Sequence, residues 1–181
     1  YDTRMTAIMP YLTADIPPLG GVIKTAEEDF FVEELPLYPP CGQGTHVYFQ
    51  IEKVGIPTME ALSLLARALG IAKKDIGYAG LKDARAIARQ WISVEHIQPE
   101  KVRTLNLPHI KILQIAQHTN KLKIGHLSRN RFVVRLRDFD VPLEQAAAYV
   151  EAVFALLTRK GVPNYFGEQR FGVRQETHML G

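Results

Sequence analysis

Cysteine is almost absent from this 181-residue chain, and a lone Cys41 excludes both an intramolecular disulfide and a cysteine-rich metal site. No run of about 18 apolar residues occurs that could cross a bilayer as a helix. Also missing are an internal repeat, a low-complexity tract and the basic-then-apolar opening that directs secretion. These absences give the expectation of a compact domain in a reducing cytoplasm, without a membrane. Apolar residues at 46% and charged residues at 23% are ordinary globular proportions, and a chain of this size buries roughly 70% of the surface its unfolded form exposes.

The formal net charge is only +3, but it is unevenly placed. The run KLKIGHLSRNRFVVRLR carries Lys121, Lys123, Arg129, Arg131, Arg135 and Arg137 with no carboxylate before Asp138, whereas Glu27 to Glu34 is acidic. Local positive charge of this kind suits a phosphate-bearing partner.

Residues 1 to about 20 have no clean period, and Pro10, Pro17 and Pro18 predict an extended arm. Alternation of apolar and polar residues in VIKTAEEDFFVEEL and THVYFQIEKV predicts two strands that pair with each other across the Pro- and Gly-rich loop LPLYPPCGQG. In PTMEALSLLARALG the spacing of Met59, Leu62, Leu65, Ala66 and Leu69 predicts an amphipathic helix, with Thr58 as N-cap and Gly70 as stop. A strand through Ile76 and Tyr78, a polar loop carrying Asp83 and a strand at WISV follow. Further strands are expected over 109–117 and 131–138. Pro142 then opens a helix that presents Ala147, Val150, Phe154 and Leu157 on one face and ends at Gly161. Mixed elements with short links predict an α+β domain around a largely antiparallel sheet flanked by helices.

Four stretches carry a resemblance. GYAGLKDARAIARQW resembles the signature loop of the TruD family of tRNA pseudouridine synthases, with Asp83 at the position of its catalytic carboxylate and Lys82 before it. EDFFVEE is similar to the family's DFxVxE strand through Asp29, Phe30, Val32 and Glu34. KLKIGHLSRNRF resembles its basic loop followed by Asn-x-Phe, here Asn130 and Phe132, and VPNYFGEQRFG resembles its NYFG-x-QRFG segment. The resemblance implies the pseudouridine synthase catalytic fold, incomplete at the C-terminus. It also implies a division into an arm at 1–19, the N-terminal part of the catalytic domain at 20–172, and at 173–181 the start of the family's inserted domain or a truncated tail.

The implied activity is isomerisation of uridine to pseudouridine in tRNA, at position 13, with no cofactor. The alternative is an RNA-binding module or inactive fragment without turnover. By composition alone Asp83 is a turn residue and Phe132 a core strand residue. The resemblance makes Asp83 the catalytic group, near Lys82, Arg85 and Arg89 along the chain. It puts Phe132 against the target base, Asn130 on a base or sugar edge, and Lys82, Arg129 and Arg131 on phosphates, with Glu34 orienting a neighbour such as Lys82. The six histidines show no ligand spacing, so no metal is expected; the partner is tRNA, and the chain is expected to be a monomer.

Overall fold

A computed structural model describes residues 11–163. The first ten residues of the arm, the NYFGEQRFG stretch at 164–172 and residues 173–181 lie outside the described residues. The chain divides into two compact units, one formed by 21–138 and the other by 1–20 with 139–181.

In chain order the elements of the first unit are strands β1 (Phe30–Pro36) and β2 (His46–Val54), helix α1 (Thr58–Leu69), strands β3 (Gly77–Tyr78) and β4 (Ile87–Glu95), helix α2 (Pro99–Arg103), and strands β5 (Ile110–His118) and β6 (Leu127–Val134). They make one sheet in the order β5-β2-β4-β1-β6, with β3 also on β4. All pairings are antiparallel except β1 with β4. The expected pairing of β1 with β2 is therefore corrected. β4 lies between them, because β2 pairs along its whole length with β4 and the long path through α1 lets β4 return parallel to β1. The first strand is also shorter than its alternation suggested. Its register starts at Phe30, a 3-10 turn occupies Glu27–Asp29, and Val22 makes only a single bridge, to Arg137.

One face of the sheet carries the core. Val47, Phe49 and Ile51 of β2 and Ile92 and Val94 of β4 pack under Ala61, Leu62, Leu65 and Leu69 of α1. Gly70 stops α1 in the left-handed conformation, φ 69°, and its amide returns to Ala66 and Arg67 carbonyls. Met59, expected on the buried stripe, is exposed. The cap position is Pro57, not Thr58, whose hydroxyl is engaged elsewhere. On the opposite face Tyr48, Trp91, Ala79 and Leu122 form a smaller cluster beneath the loop that precedes β6.

In the second unit α3 (Leu143–Lys160) begins one residue after Pro142 and ends at Gly161. Tyr149, Val150, Val153 and Phe154 of α3 line an apolar groove with Tyr11, Ile16, Pro17 and Leu19 of the arm. The buried position on α3 is Ala146; Ala147, expected on the inner face, is exposed.

β3 is packed closely between Ser93 of β4 and the chain at Leu122. A Cβ added at Gly77 would lie 2.3 Å from Ser93 Oγ and 2.4 Å from the Leu122 carbonyl, so only glycine lets β3 approach β4 there. Gly77→Ala is expected to lower stability by about 1–3 kcal/mol, measured as a shift of the urea midpoint at unchanged slope.

Candidate active site

The site begins with a gap in the sheet. One edge of β4 is filled by β2; on the other, β1 pairs only with Ile87–Arg89 and β3 only with Ile92 and Ser93. Between them the Trp91 amide has no strand partner. Glu34, one residue past the end of the β1–β4 pairing, turns its carboxylate into the gap and accepts that amide through Oε1 at 3.2 Å. Its other oxygen, Oε2, is 2.8 Å from Lys82 Nζ, and both side chains are almost fully buried, 1% and 4% exposed. A buried carboxylate needs such a partner, because an unpaired charge away from water costs several kcal/mol.

Lys82 brings the 79–86 loop with it. Its amide donates to Thr58 Oγ1 at 2.8 Å, and Thr58 donates to Gln90 Oε1 at 2.9 Å. The Lys53 ammonium, on the inward face of β2, donates to the Asp83 carbonyl and to the Ile56 carbonyl, each at 2.7 Å. Burial lowers the Lys53 pKa to about 8, with the Asp83 carboxylate working against that shift and Lys82 with it. The loop ends where Gly55 donates to the Ala86 carbonyl, 3.3 Å.

Asp83 stands out of this frame with its side chain 50% exposed, and Oδ2 is 2.7 Å from Lys24 Nζ. Lys24 reaches it from 59 residues away in sequence. Arg85 completes the clasp by donating to the Thr25 carbonyl, 3.1 Å. The Lys24 backbone sits at φ 59°, unusual for a long side chain and found where surroundings enforce it. Asp29, further along the same segment, is tied to Arg137. Fully buried, it takes two 2.7 Å hydrogen bonds from Arg137 and a third from the Ala26 amide, 3.1 Å. The Arg137 hydrogen bonds hold the Asp29 carboxyl below the usual carboxylate range despite its burial.

Lys24 Nζ also lies 4.0 Å from the centre of the Phe30 ring, and Phe30 meets Phe132 at 5.8 Å between ring centroids. Asp83, Lys24, Phe30 and Phe132 therefore form one continuous surface. Phe132 faces Val32 and Asn130 faces Glu34 across β1 and β6, so both belong to this side of the sheet. Phe132 is 57% exposed, and Asn130 Oδ1 is buried without a hydrogen-bond partner.

The structure thus brings together Asp83, Phe132, Asn130, Glu34 and Lys82, and it separates Arg129 and Arg131 from them. The two arginines alternate with Asn130 and Phe132 and leave from the opposite face, where Arg131 Nη1 is 3.7 Å from Glu33. Lys82 is corrected as a phosphate ligand, since its ammonium is buried against Glu34. Arg89 does not reach Asp83 either; it projects from β4 to Glu52, 2.8 Å away. Sequence reasoning missed Lys24 and Lys53. Nothing local distinguishes Lys24, but Lys53 continues the inward series Val47, Phe49, Ile51, and a lysine at that parity was a readable anomaly. Among the described residues no group of three or more His, Cys, Asp or Glu comes together as a metal site, and no helix is long and apolar enough to cross a membrane.

The mixed sheet with helices against it is an α+β fold, and proteins of one family share both this fold and the sequence. The sequence matches the family described as tRNA pseudouridine synthase D (TruD) over residues 7–181. It is 52% identical over 171 residues to the tRNA pseudouridine synthase D of Geobacter metallireducens, covering 94% of this chain and 42% of that protein. With the Thermus thermophilus protein of the same name it shares 46% over 165 residues, 91% of this chain and 45% of the relative. The crystal structure of a candidate TruD from Methanosarcina mazei matches with a TM-score of 0.86 at 30% sequence identity, over 96% of this chain and 40% of that one. The chain belongs to the TruD family, and it spans less than half the length of these relatives.

The two lysines nearest Asp83 in function should separate by measurement. Lys82→Met leaves the Glu34 carboxylate buried and unpaired, and is expected to cost about 3–5 kcal/mol in denaturant unfolding. Lys24→Met breaks a half-exposed pair and should cost under about 1 kcal/mol. Equal costs would contradict the division between a structural and a surface ion pair.

Proposed function

We propose that this chain carries the catalytic loop of a tRNA pseudouridine synthase, with Asp83 acting on a uridine of tRNA, at position 13 as the family resemblance implies. The observation that carries the proposal is a half-exposed Asp83 carboxylate paired with Lys24 on a loop fixed from beneath by Lys53, Thr58 and Glu34. Family membership and the names of the relatives support the reaction class. Residues 20–172 serve in this reading as part of the catalytic domain.

The reaction breaks the bond between C1′ of the ribose and N1 of uracil, turns the base and joins C1′ to C5. A proton leaves C5 and one is gained at N1, so no oxidant or energy source is consumed. Three routes use a carboxylate here: addition to the base, attack on C1′, or removal of a sugar proton. All three need a carboxylate that a substrate can reach and that no buried partner consumes; Asp83 is half exposed, with the partly exposed Lys24 against it. Phe132 offers an exposed ring against which a uracil can stack once it leaves the RNA helix, a step costing a few kcal/mol. Asn130 has an acceptor without a partner, and in this reading that oxygen takes a donor from base or sugar once the site opens to it. Arg129 and Arg131, on the other face, serve only phosphates of RNA passing the β6 edge.

In the full-length protein Asp83→Asn is expected to reduce pseudouridine formation in a tRNA transcript to background while tRNA binding is kept. Product from both forms sinks the assignment of Asp83. Binding by both with product from neither favours an RNA-binding module. Phe132→Ala is expected to lower kcat/KM by about 5- to 150-fold, the equivalent of one stacked base, with little change in melting temperature because the ring is largely exposed. A large loss of melting temperature with activity intact would falsify the stacking role.

A further inference from the structure

Lys53 performs none of the chemistry proposed above, yet it is fully buried. It occupies the end of the inward series Val47, Phe49, Ile51 on β2, where another apolar side chain would pack without the penalty of burying an ammonium. Its two hydrogen-bond partners are carbonyl oxygens and not carboxylates, so no buried counter-ion explains its presence. One of those oxygens belongs to Asp83 itself. Among the described residues, the other anchors of this loop grip elsewhere: Thr58 and Glu34 hold Lys82, Lys24 meets the Asp83 carboxylate, Arg85 reaches the Thr25 carbonyl, Gly125 holds Ala79 and Gly55 holds Ala86. Lys53 alone grips the Asp83 backbone.

We infer that Lys53 is a positioning residue: its ammonium, anchored on the Ile56 carbonyl, fixes the Asp83 carbonyl and so the direction in which the Asp83 carboxylate leaves the loop. The inference rests on the reaction proposed for Asp83. Its physical content is that rotation of the peptide at Asp83 swings the carboxylate, and a short charge-assisted hydrogen bond from an ammonium itself held on the Ile56 carbonyl opposes that rotation. The depressed pKa of Lys53 agrees with an ammonium that is desolvated to serve neutral oxygens.

The test compares parent and Lys53→Met forms of the full-length protein in three respects. These are the single-turnover rate of pseudouridine formation at saturating enzyme, the Kd for the same tRNA transcript, and amide hydrogen exchange across residues 80–86. The rate is expected to fall about 100-fold, the order of loss for a misplacement near 1 Å, while Kd stays unchanged. Exchange of the Lys82 amide, now on a loosened loop, should quicken. A folded Met variant with the parental rate overturns the inference. If the Met variant does not fold, Lys53→Gln, which keeps an N–H donor without the charge, is judged by the same split between rate and Kd. If the parent forms no product, the reaction assigned to Asp83 fails separately, and positioning is decided by exchange alone. Faster exchange confined to residues 80–86 then supports it, and unchanged exchange overturns it.

Discussion

The buried pair of Glu34 and Lys82 is the interaction on which the site depends, because it closes the defect that makes the site possible. A continuous β1–β4 ladder would leave no opening between β1 and β3 and no reason for the 79–86 loop to dip into the sheet. Once the ladder stops at Glu33 and Arg89, the Trp91 amide needs an acceptor, Glu34 supplies it, and the carboxylate in turn needs a cation. Lys82 answers that need from the residue preceding Asp83. One unmet backbone donor thus fixes the residue beside the proposed catalytic group, through two steps of charge satisfaction in a water-poor interior.

The same sheet separates chemistry by parity. On the face of Phe30, Val32 and Glu34 lie Asn130 and Phe132, and the loop carrying Asp83 docks there. On the reverse face a row of opposite charges crosses four strands: Glu52 of β2, Arg89 of β4, Glu33 of β1 and Arg131 of β6 occupy successive register positions. The Arg89–Glu52 contact at 2.8 Å is tight, and those of Glu33 with Arg89 and Arg131, at 3.9 and 3.7 Å, are looser. Each pair on a solvated face contributes little, but a one-residue slip of any strand would set like charges or apolar groups into this row and expose the core on the other side. Register and site composition are therefore secured together.

Much of the fold was legible in the sequence. α1 and α3 were readable because apolar spacing and glycine stops agree over three or more turns, and Asp83 falls on a loop between strands as the polar stretch between the two strand patterns predicts. The neighbour of β1 was not legible, since alternation tells which face a strand shows and nothing about which strand it joins. Thr58 looked like a cap by its place before a helical run, but its hydroxyl is drawn to the Lys82 amide, a long-range demand that local pattern does not register. Lys24 escaped for a similar reason: its partner Asp83 lies 59 residues away in sequence. Arg89 is close to Asp83 along the chain but not in space, since the period of a strand sends alternate residues to opposite faces.

Three lysines surround one aspartate, and their environments differ in a way that follows from their tasks. Lys82 is buried against a carboxylate, so its charge is matched and its effect is to hold the loop. Lys53 is buried against carbonyls, so its charge is only partly compensated and is displaced in pKa. Lys24 is partly exposed and meets Asp83 at the surface, so its contact is the easiest of the three to exchange for another. A domain selected for stability alone would replace the first two by packed apolar side chains, since buried ion pairs and buried amines seldom contribute net stability. Their retention beneath the loop's one carboxylate is where local stability is sacrificed, and sites at which a sequence breaks its own packing rules are where function is expected to lie.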